Sequence, residues 1–269
     1  MESGLVKVKG GTIYYETRGQ GLPLVLIHAG FLDSRMWDPQ FDLYSKTYKV
    51  IRYDVRGFGK SSKAFEKFAD IDDLQSLLQH LKIDKAHVVG LSNGGRIAID
   101  FTTNHPEMVN GLVLVGSGCS GYKDTPEEAE VWKDFEKQMA PQQEFVKQGK
   151  LAEAAMIDVE TWACAQSPES RRKIISMALD NAHVAADDPW QFQTHPSPRG
   201  YDRLAEISSP TLVIVGERDV KGMRSISETI HKKIPQSKYL LVRGADHIVN
   251  LSRTEEFDEE VLNFLRGIR

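Results

Sequence analysis

A series of short, uninterrupted apolar runs, alternating with segments of helical period, constrains this chain more than any other feature. Residues 23–28, 48–54, 85–91 and 109–117 read as strands. The first of them, Pro-Leu-Val-Leu-Ile-His, holds no polar residue before its final histidine. A strand with one face in water alternates apolar and polar side chains, so a continuous run marks a strand covered on both faces. Between the runs, Ile71, Leu74, Leu77, Leu78 and Leu81 recur at helical spacing, and the helical pattern of residues 93–105 stops at Pro106. Residues 37–46 read as a further short helix. Strands alternating with helices predict an α/β fold, a mostly parallel sheet with helices on both faces. Residues 5–8 and 12–17 precede it as two strands joined at Gly10-Gly11, a hairpin signal.

The pattern breaks between residues 121 and 200, where no strand is expected. Helices fit residues 127–139, 142–147, 151–165 and 169–182, and the Pro-rich, polar stretch 187–200 reads as a loop. Alternation then resumes with Thr211–Gly216, 224–234, Lys238–Val242 and 255–268. The expected organisation is a core of residues 1–120 and 201–269, interrupted by a helical cap of residues 121–200 over one edge of the sheet.

Charge narrows the range of partners. Thirty-four Lys and Arg against 38 Asp and Glu leave a net charge of −4 over 269 residues, with no basic stripe for nucleic acid. Arg171, Arg172 and Lys173 form the one basic triplet and read as a solvated helix face. No run is long and apolar enough to span a membrane, and Met1-Glu2-Ser3-Gly4 lacks the basic and apolar regions of a signal peptide. Cys119 and Cys164 lie far apart, without metal-ligand spacing, and read as free, buried thiols. These features point to a cytoplasmic protein acting on a small molecule, with no nucleic-acid or membrane partner and no metal.

The sharpest local signal is Gly90-Leu91-Ser92-Asn93-Gly94, where a strand meets a helix. At about 7% usage per fixed residue, G-x-S-x-G arises by chance in roughly one chain in ten of this length, so its context matters more than the pattern. An apolar strand runs in and a helical pattern runs out, the setting of a nucleophile elbow. The competing reading is a plain turn with Ser92 as N-cap.

A nucleophilic serine needs a base, and the base an orienting carboxylate. Of eight histidines, His80, His87, His105 and His231 lie in or beside predicted elements, while His183 and His195 belong to the inserted block. His247 follows the apolar strand Lys238–Val242, at the carboxyl edge where α/β folds bind ligands. For the acid, Asp219 ends a run after Thr211–Gly216, with Glu217, Asp246 and Asp124 as rivals. Ser92, Asp219 and His247 then follow in the order Ser, acid, His.

With these residues in place the chain resembles the α/β-hydrolase family along essentially its whole length. The likeness rests on His28-Ala29-Gly30-Phe31, on Asp54 to Ser61, on the turn at Ser92, on Gly216 to Asp219 and on Asp246-His247. Within the family it looks most like the small serine carboxylesterases, lactonases and enol-lactonases. The resemblance implies the α/β-hydrolase fold, a catalytic Ser92–Asp219–His247 triad and no cofactor. It also implies an oxyanion hole from the amides of Asn93 and Gly30. His28-Ala29-Gly30 departs from the usual His-Gly pair, which leaves Phe31 as the alternative second donor. His28 reads as a structural brace, and Asp54 and Arg56 as ties for the loop after their strand. Haloalkane dehalogenases and epoxide hydrolases of this fold place Asp at the elbow, so Ser92 argues for acyl transfer.

Phe31, Val220 and Ile248 flank the catalytic turns and are expected to line an apolar substrate site. Trp132, Phe135, Met139, Met156, Trp162, Trp190 and Phe192 read mainly as cap core, with some facing Ser92. The function expected is hydrolysis of a small, largely apolar ester or lactone. C–C bond hydrolysis and perhydrolysis use the same triad and stay open. A ligand-sensing protein of the same fold is the non-enzymatic alternative, with turnover rather than a stoichiometric burst as the discriminator.

Overall fold

The computed structural model describes residues 1–268; Arg269, the last residue of the second core segment expected from the sequence, lies outside the described residues. Eight strands form one sheet in the order β1-β2-β4-β3-β5-β6-β7-β8. They are β1 (Glu2–Val8), β2 (Gly11–Arg18), β3 (Pro23–Ile27), β4 (Lys49–Tyr53), β5 (Ala86–Leu91), β6 (Val109–Val115), β7 (Thr211–Gly216) and β8 (Lys238–Val242). β1 and β2 pair antiparallel, and β2 pairs antiparallel with β4. All remaining pairings are parallel.

The helices are α1 (Asp38–Tyr44), α2 (Asp70–His80), α3 (Asn93–Asn104), α4 (Pro126–Lys147), α5 (Leu151–Trp162) and α6 (Pro168–Asp180). Next come α7 (Val184–Asp187), α8 (Gly200–Arg203), α9 (Lys221–Lys233), α10 (Val249–Ser252) and α11 (Thr254–Arg266).

The apolar strand runs do what their pattern requires. Alternate residues of the central strands point to opposite faces, and each face is buried under helices. Val25, Ile27, Val88 and Leu114 pack with Leu74 and Leu77 of α2 and Ile97 and Phe101 of α3. Leu24, Leu26, Val89 and Val115 pack with Phe41 and Tyr44 of α1 and Phe257 and Val261 of α11. β8, at the sheet edge, is only partly covered, and Leu241 is exposed.

Between β6 and β7 the chain is helical. The expected break between helices 127–139 and 142–147 is absent: α4 runs 22 residues with Pro141 inside it. Proline removes one backbone donor and crowds the preceding turn. Packing on α5 offsets that loss, through the rings of Trp132, Phe135 and Trp162 and the bond from Gln138 Nε2 to Thr161 Oγ1 (3.3 Å). The expected loop 187–200 contains a 3-10 turn at Pro189–Phe192 and a single bridge pairing Gln193 with Phe68.

Buried polar contacts fix the loops below this helical block. Val55 N–H donates to His28 Nε2 (2.8 Å), and His28 Nδ1–H donates to the Ala29 carbonyl (2.8 Å). Asp54 accepts from the amides of Ser34 (3.0 Å) and Lys60 (2.8 Å), and Arg56 forks onto Asp73. Burial pushes the Asp73 carboxyl up to about 6 despite that partner. His28, Asp54 and Arg56 therefore act as braces, in line with their reading from the sequence.

Of the two thiols, Cys119 is partly buried and Cys164 is exposed. The second corrects the sequence expectation: Cys164 follows the last turn of α5, in the connection to α6, where no helix covers it. Among the described residues no helix is long and apolar enough to cross a membrane.

Candidate active site

Strand pairing aligns the carboxyl ends of β5, β6, β7 and β8, with Leu91 opposite Val115 and Gly216 opposite Val242. Ser92, Asp219 and His247 all lie just beyond these ends. Ser92 sits at φ 57, ψ −114, a backbone region that costs a non-glycine residue of order 1–3 kcal/mol. Its amide donates to the Val115 carbonyl (2.9 Å), and its own carbonyl accepts from Gly118 (3.0 Å) and Arg96 (3.1 Å). The strained turn is held from both sides.

The side chain of Ser92 makes no capping hydrogen bond to α3, which removes the plain N-cap reading. Both glycines of the motif are required by close approach. A Cβ on Gly90 would collide with the Gly94 carbonyl, and one on Gly94 with the Ile27 carbonyl.

His247 Nδ1 donates to Asp219 Oδ2 at 2.8 Å, and both side chains are almost wholly buried, at 2% and 0% exposure. The second Asp219 oxygen accepts from the Val220 amide (2.7 Å). With Nδ1 carrying the hydrogen, Nε2 is the basic nitrogen of the neutral ring. His247 and Ser92 line one cavity of about 520 Å³. No direct hydrogen bond joins them among the described residues.

The rival carboxylates are engaged elsewhere. Glu217 accepts from the Gly244 amide (2.9 Å), and Asp124 accepts from the Trp132 indole (2.9 Å). Asp246 accepts from the Ala165 amide (2.7 Å), Gln166 Nε2 (2.8 Å) and the Ile248 amide (3.1 Å). Burial raises its pKa from the ordinary carboxylate value. It is a latch between the helical block and the His247 loop rather than a partner of the imidazole.

Gly30 and Phe31 both line the cavity. A Cβ on Gly30 would lie 3.4 Å from the Asn93 Cβ, so the two backbones meet beside Ser92. Asn93 opens α3, and the first amides of a helix have no acceptor within it. Arg96, one turn on, donates to Asn93 Oδ1 (2.9 Å) and pairs with Asp70 (2.5 Å) and Asp100 (3.4 Å). Its guanidinium is consumed by the scaffold.

Two of the three expected substrate-lining residues are displaced from the cavity wall. Ile248 is fully buried in the lower face of the core, and Val220 packs against the upper one as the residue preceding α9. Adjacency to Asp219 and His247 in sequence placed them near the site, but their side chains turn into the core. Phe31 remains on the wall.

The helical block supplies the rest of the wall. α5 presents Ala155, Asp158 and Trp162, spaced i, i+3 and i+7 on one helical face. Trp162 lies over His247 with ring centroids 4.6 Å apart. α4 adds Gln142 and Lys147. The site expected to be apolar thus has a partly polar roof. A carboxylate interrupting the apolar face of residues 151–162 was the available signal for Asp158. Asn181, also on the wall, donates to Asp33 Oδ2 (2.8 Å) and accepts from the Gly59 amide (2.8 Å), tying two core loops to the block.

Among the described residues, no group of three or more His, Cys, Asp or Glu side chains is placed to hold a metal ion. What remains is a hydroxyl, an oriented imidazole and a buried carboxylate, with backbone amides close by. Such a set can transfer an acyl group.

Comparisons with known proteins agree with this architecture. A family model described as alpha/beta hydrolase fold matches residues 23–254. A pimeloyl-[acyl-carrier protein] methyl ester esterase of Aliivibrio salmonicida is 25% identical over 262 residues, 95% of this chain and 96% of its own. The crystal structure of the enol-lactonase from Burkholderia xenovorans has a TM-score of 0.82 at 21% identity, covering 98% of this chain and all of its own. The bromoperoxidase from Bacillus anthracis has a TM-score of 0.80 at 26% identity, covering 99% of this chain and all of its own.

Proposed function

Because the chain belongs to the alpha/beta hydrolase fold family, we propose that its cavity is the active site of a serine hydrolase cleaving a small carboxylic ester or lactone through an acyl-enzyme on Ser92. One observation carries this reading above the others. Ser92 is held in strained backbone, free of any capping role, on the same cavity as an imidazole whose far nitrogen is bonded to a buried carboxylate.

In this mechanism His247 Nε2 takes the Ser92 proton as Oγ attacks the carbonyl carbon. The amides of Asn93 and Gly30 receive the negative charge that develops on the carbonyl oxygen, each donor being worth about 3–4 kcal/mol of transition-state stabilisation. His247 then gives its proton to the leaving alcohol oxygen as the C–O bond breaks. Water, deprotonated by the same nitrogen, attacks the acyl carbon and releases the acid, and Ser92 recovers its proton. Asp219 holds the ring in the required tautomer and stabilises the imidazolium. Trp162 over the ring and Phe31 beside the serine shield the reacting atoms from bulk water.

The test is Ser92→Ala. It is expected to abolish p-nitrophenyl acetate turnover and labelling by a fluorophosphonate probe while circular dichroism and melting stay unchanged. Wild-type rates in that variant would overturn the assignment, and labelling of the natural chain without multiple turnover would favour a ligand sensor.

A further inference from the structure

Among the described residues Asp158 is the one carboxylate on the cavity wall, and the acyl-transfer steps leave it unused. It is partly buried, and its partners are neutral: Gln142 Nε2 donates to it at 3.3 Å, and the indole of Trp162, one turn further along α5, stabilises its charged form. A carboxylate offers about four acceptor positions, so much of its hydrogen-bonding capacity is left for the cavity. Buried charges are normally paired. Among the described residues no cation of the protein forms an ion pair with it. The other charged or titratable groups on the wall are Lys147, exposed on α4, and His247 on the catalytic loop; α6 contributes apolar Ala178. Two indole rings, Trp162 and Trp190, line the same space, and aromatic faces attract cations electrostatically. A carboxylate without a counter-ion of its own, in a cavity also walled by two indoles, is the chemistry of an ammonium site.

We infer that Asp158, with Trp162 and Trp190, forms a specificity subsite that selects esters bearing a positively charged amino group. The inference rests on the acyl-transfer reading of Ser92 and His247. Geometry limits where that group sits. Asp158 lies four residues before Trp162 on α5, a rise of about 6 Å, and the Trp162 ring contacts His247 at a tilt, with centroids 4.6 Å apart. The ammonium therefore belongs within about 10 Å of the scissile carbonyl, a reach of several bonds. Burial also pushes the Asp158 carboxyl up to about 6, so the subsite is charged at neutral pH and loses its charge in mild acid.

The experiment compares isosteric ester pairs that differ only in charge: ethyl 4-aminobutyrate against ethyl pentanoate, ethyl 6-aminohexanoate against ethyl heptanoate, and acetylcholine against 3,3-dimethylbutyl acetate. At pH 8 the natural chain is expected to favour the cation in at least one pair by about tenfold in kcat/KM, mostly through KM, as for a charge-assisted contact. Asp158→Asn should bring that ratio close to one, Asp158→Glu should retain part of it, and the ratio should fall as pH drops through about 6. A ratio near one in every pair, a preference that survives in Asp158→Asn, or a preference for mono-ethyl glutarate over the neutral ester would overturn the subsite. Failure to hydrolyse any ester counts instead against the Ser92 reading. In that event calorimetric binding of the same pairs to Ser92→Ala and to Ser92→Ala/Asp158→Asn decides the subsite by itself.

Discussion

Ser92, Asp219 and His247 hang from the ends of β5, β7 and β8, whereas Asp158, Trp162 and Gln142 hang from two helices outside the sheet. The first group is placed by backbone. Strand pairing sets the level of each turn, and amide bonds at Val115, Gly118 and Val220 set the side chains. The second group is placed by side chains. Asn181 to Asp33, Arg35 to Asp180 and Gln166 to Asp246 are the kind of bond that ties the helical block to the core. A backbone ladder survives most exchanges of one apolar side chain for another, while a side-chain latch vanishes with one substitution. On the proposed assignment the reacting groups sit at strand ends fixed by backbone, and the selecting groups on helices that sequence change can readjust. The related proteins share the fold while carrying names as different as esterase, enol-lactonase and bromoperoxidase.

The largest effect is expected at the strand ends. Asp219→Asn is expected to lower kcat for a neutral ester by about 10⁴, because the amide holds the imidazole in the wrong tautomer. Melting should change little, since the amide fills the same space. A loss under tenfold would transfer the role to another carboxylate.

Next in size, Gly94→Ala is expected to cost about 3 kcal/mol in a denaturant titration, since its Cβ has no space beside the Ile27 carbonyl. The same change at Gly149, where nothing lies within 4 Å, supplies the contrast within the helical block. Its backbone sits at φ 72, so the cost there is confined to strain of about 1–2 kcal/mol.

The last effect has the opposite sign. The Asp158 carboxyl titrates near 6 in the folded chain, above an ordinary value near 3.8, so the folded state binds its proton more tightly than the unfolded state. Its ionised form therefore weakens the fold above pH 6, and the penalty fades as pH falls through 6 towards 4. Asp158→Asn is expected to gain about 2 kcal/mol at pH 8 and little at pH 4, read as thermal melting across pH. A variant less stable than the parent at pH 8 would place a counter-charge beside Asp158. A gain in stability together with a loss of selectivity is the trade expected of a binding residue.

Several features were legible before any coordinates. Continuous apolar runs fixed strands and their two buried faces, because only a doubly covered strand tolerates such a pattern. Gly90, Ser92 and Gly94 marked the elbow, because a turn this tight excludes side chains at both glycines. The order of Ser92, Asp219 and His247 could be read because turns after parallel strands emerge on one edge.

Other features were not legible. Asp219 was chosen from the sequence, but its 2.8 Å contact with His247 Nδ1 is a matter of angstroms set by β7 and β8 together. Val220 and Ile248 were misplaced because adjacency along a chain says nothing about which way a side chain turns. The continuity of α4 through Pro141 depends on α5, which lies outside any local window.

The α/β alternation, the strained serine and the chain order of the three candidate groups follow from local sterics or from period alone. The polar roof, the placing of Asp158 on one cavity with Trp162 and Trp190, and the latching of the helical block came only with the folded chain. Those depend on contacts between segments far apart in sequence, whose geometry exists only once the sheet has brought them together.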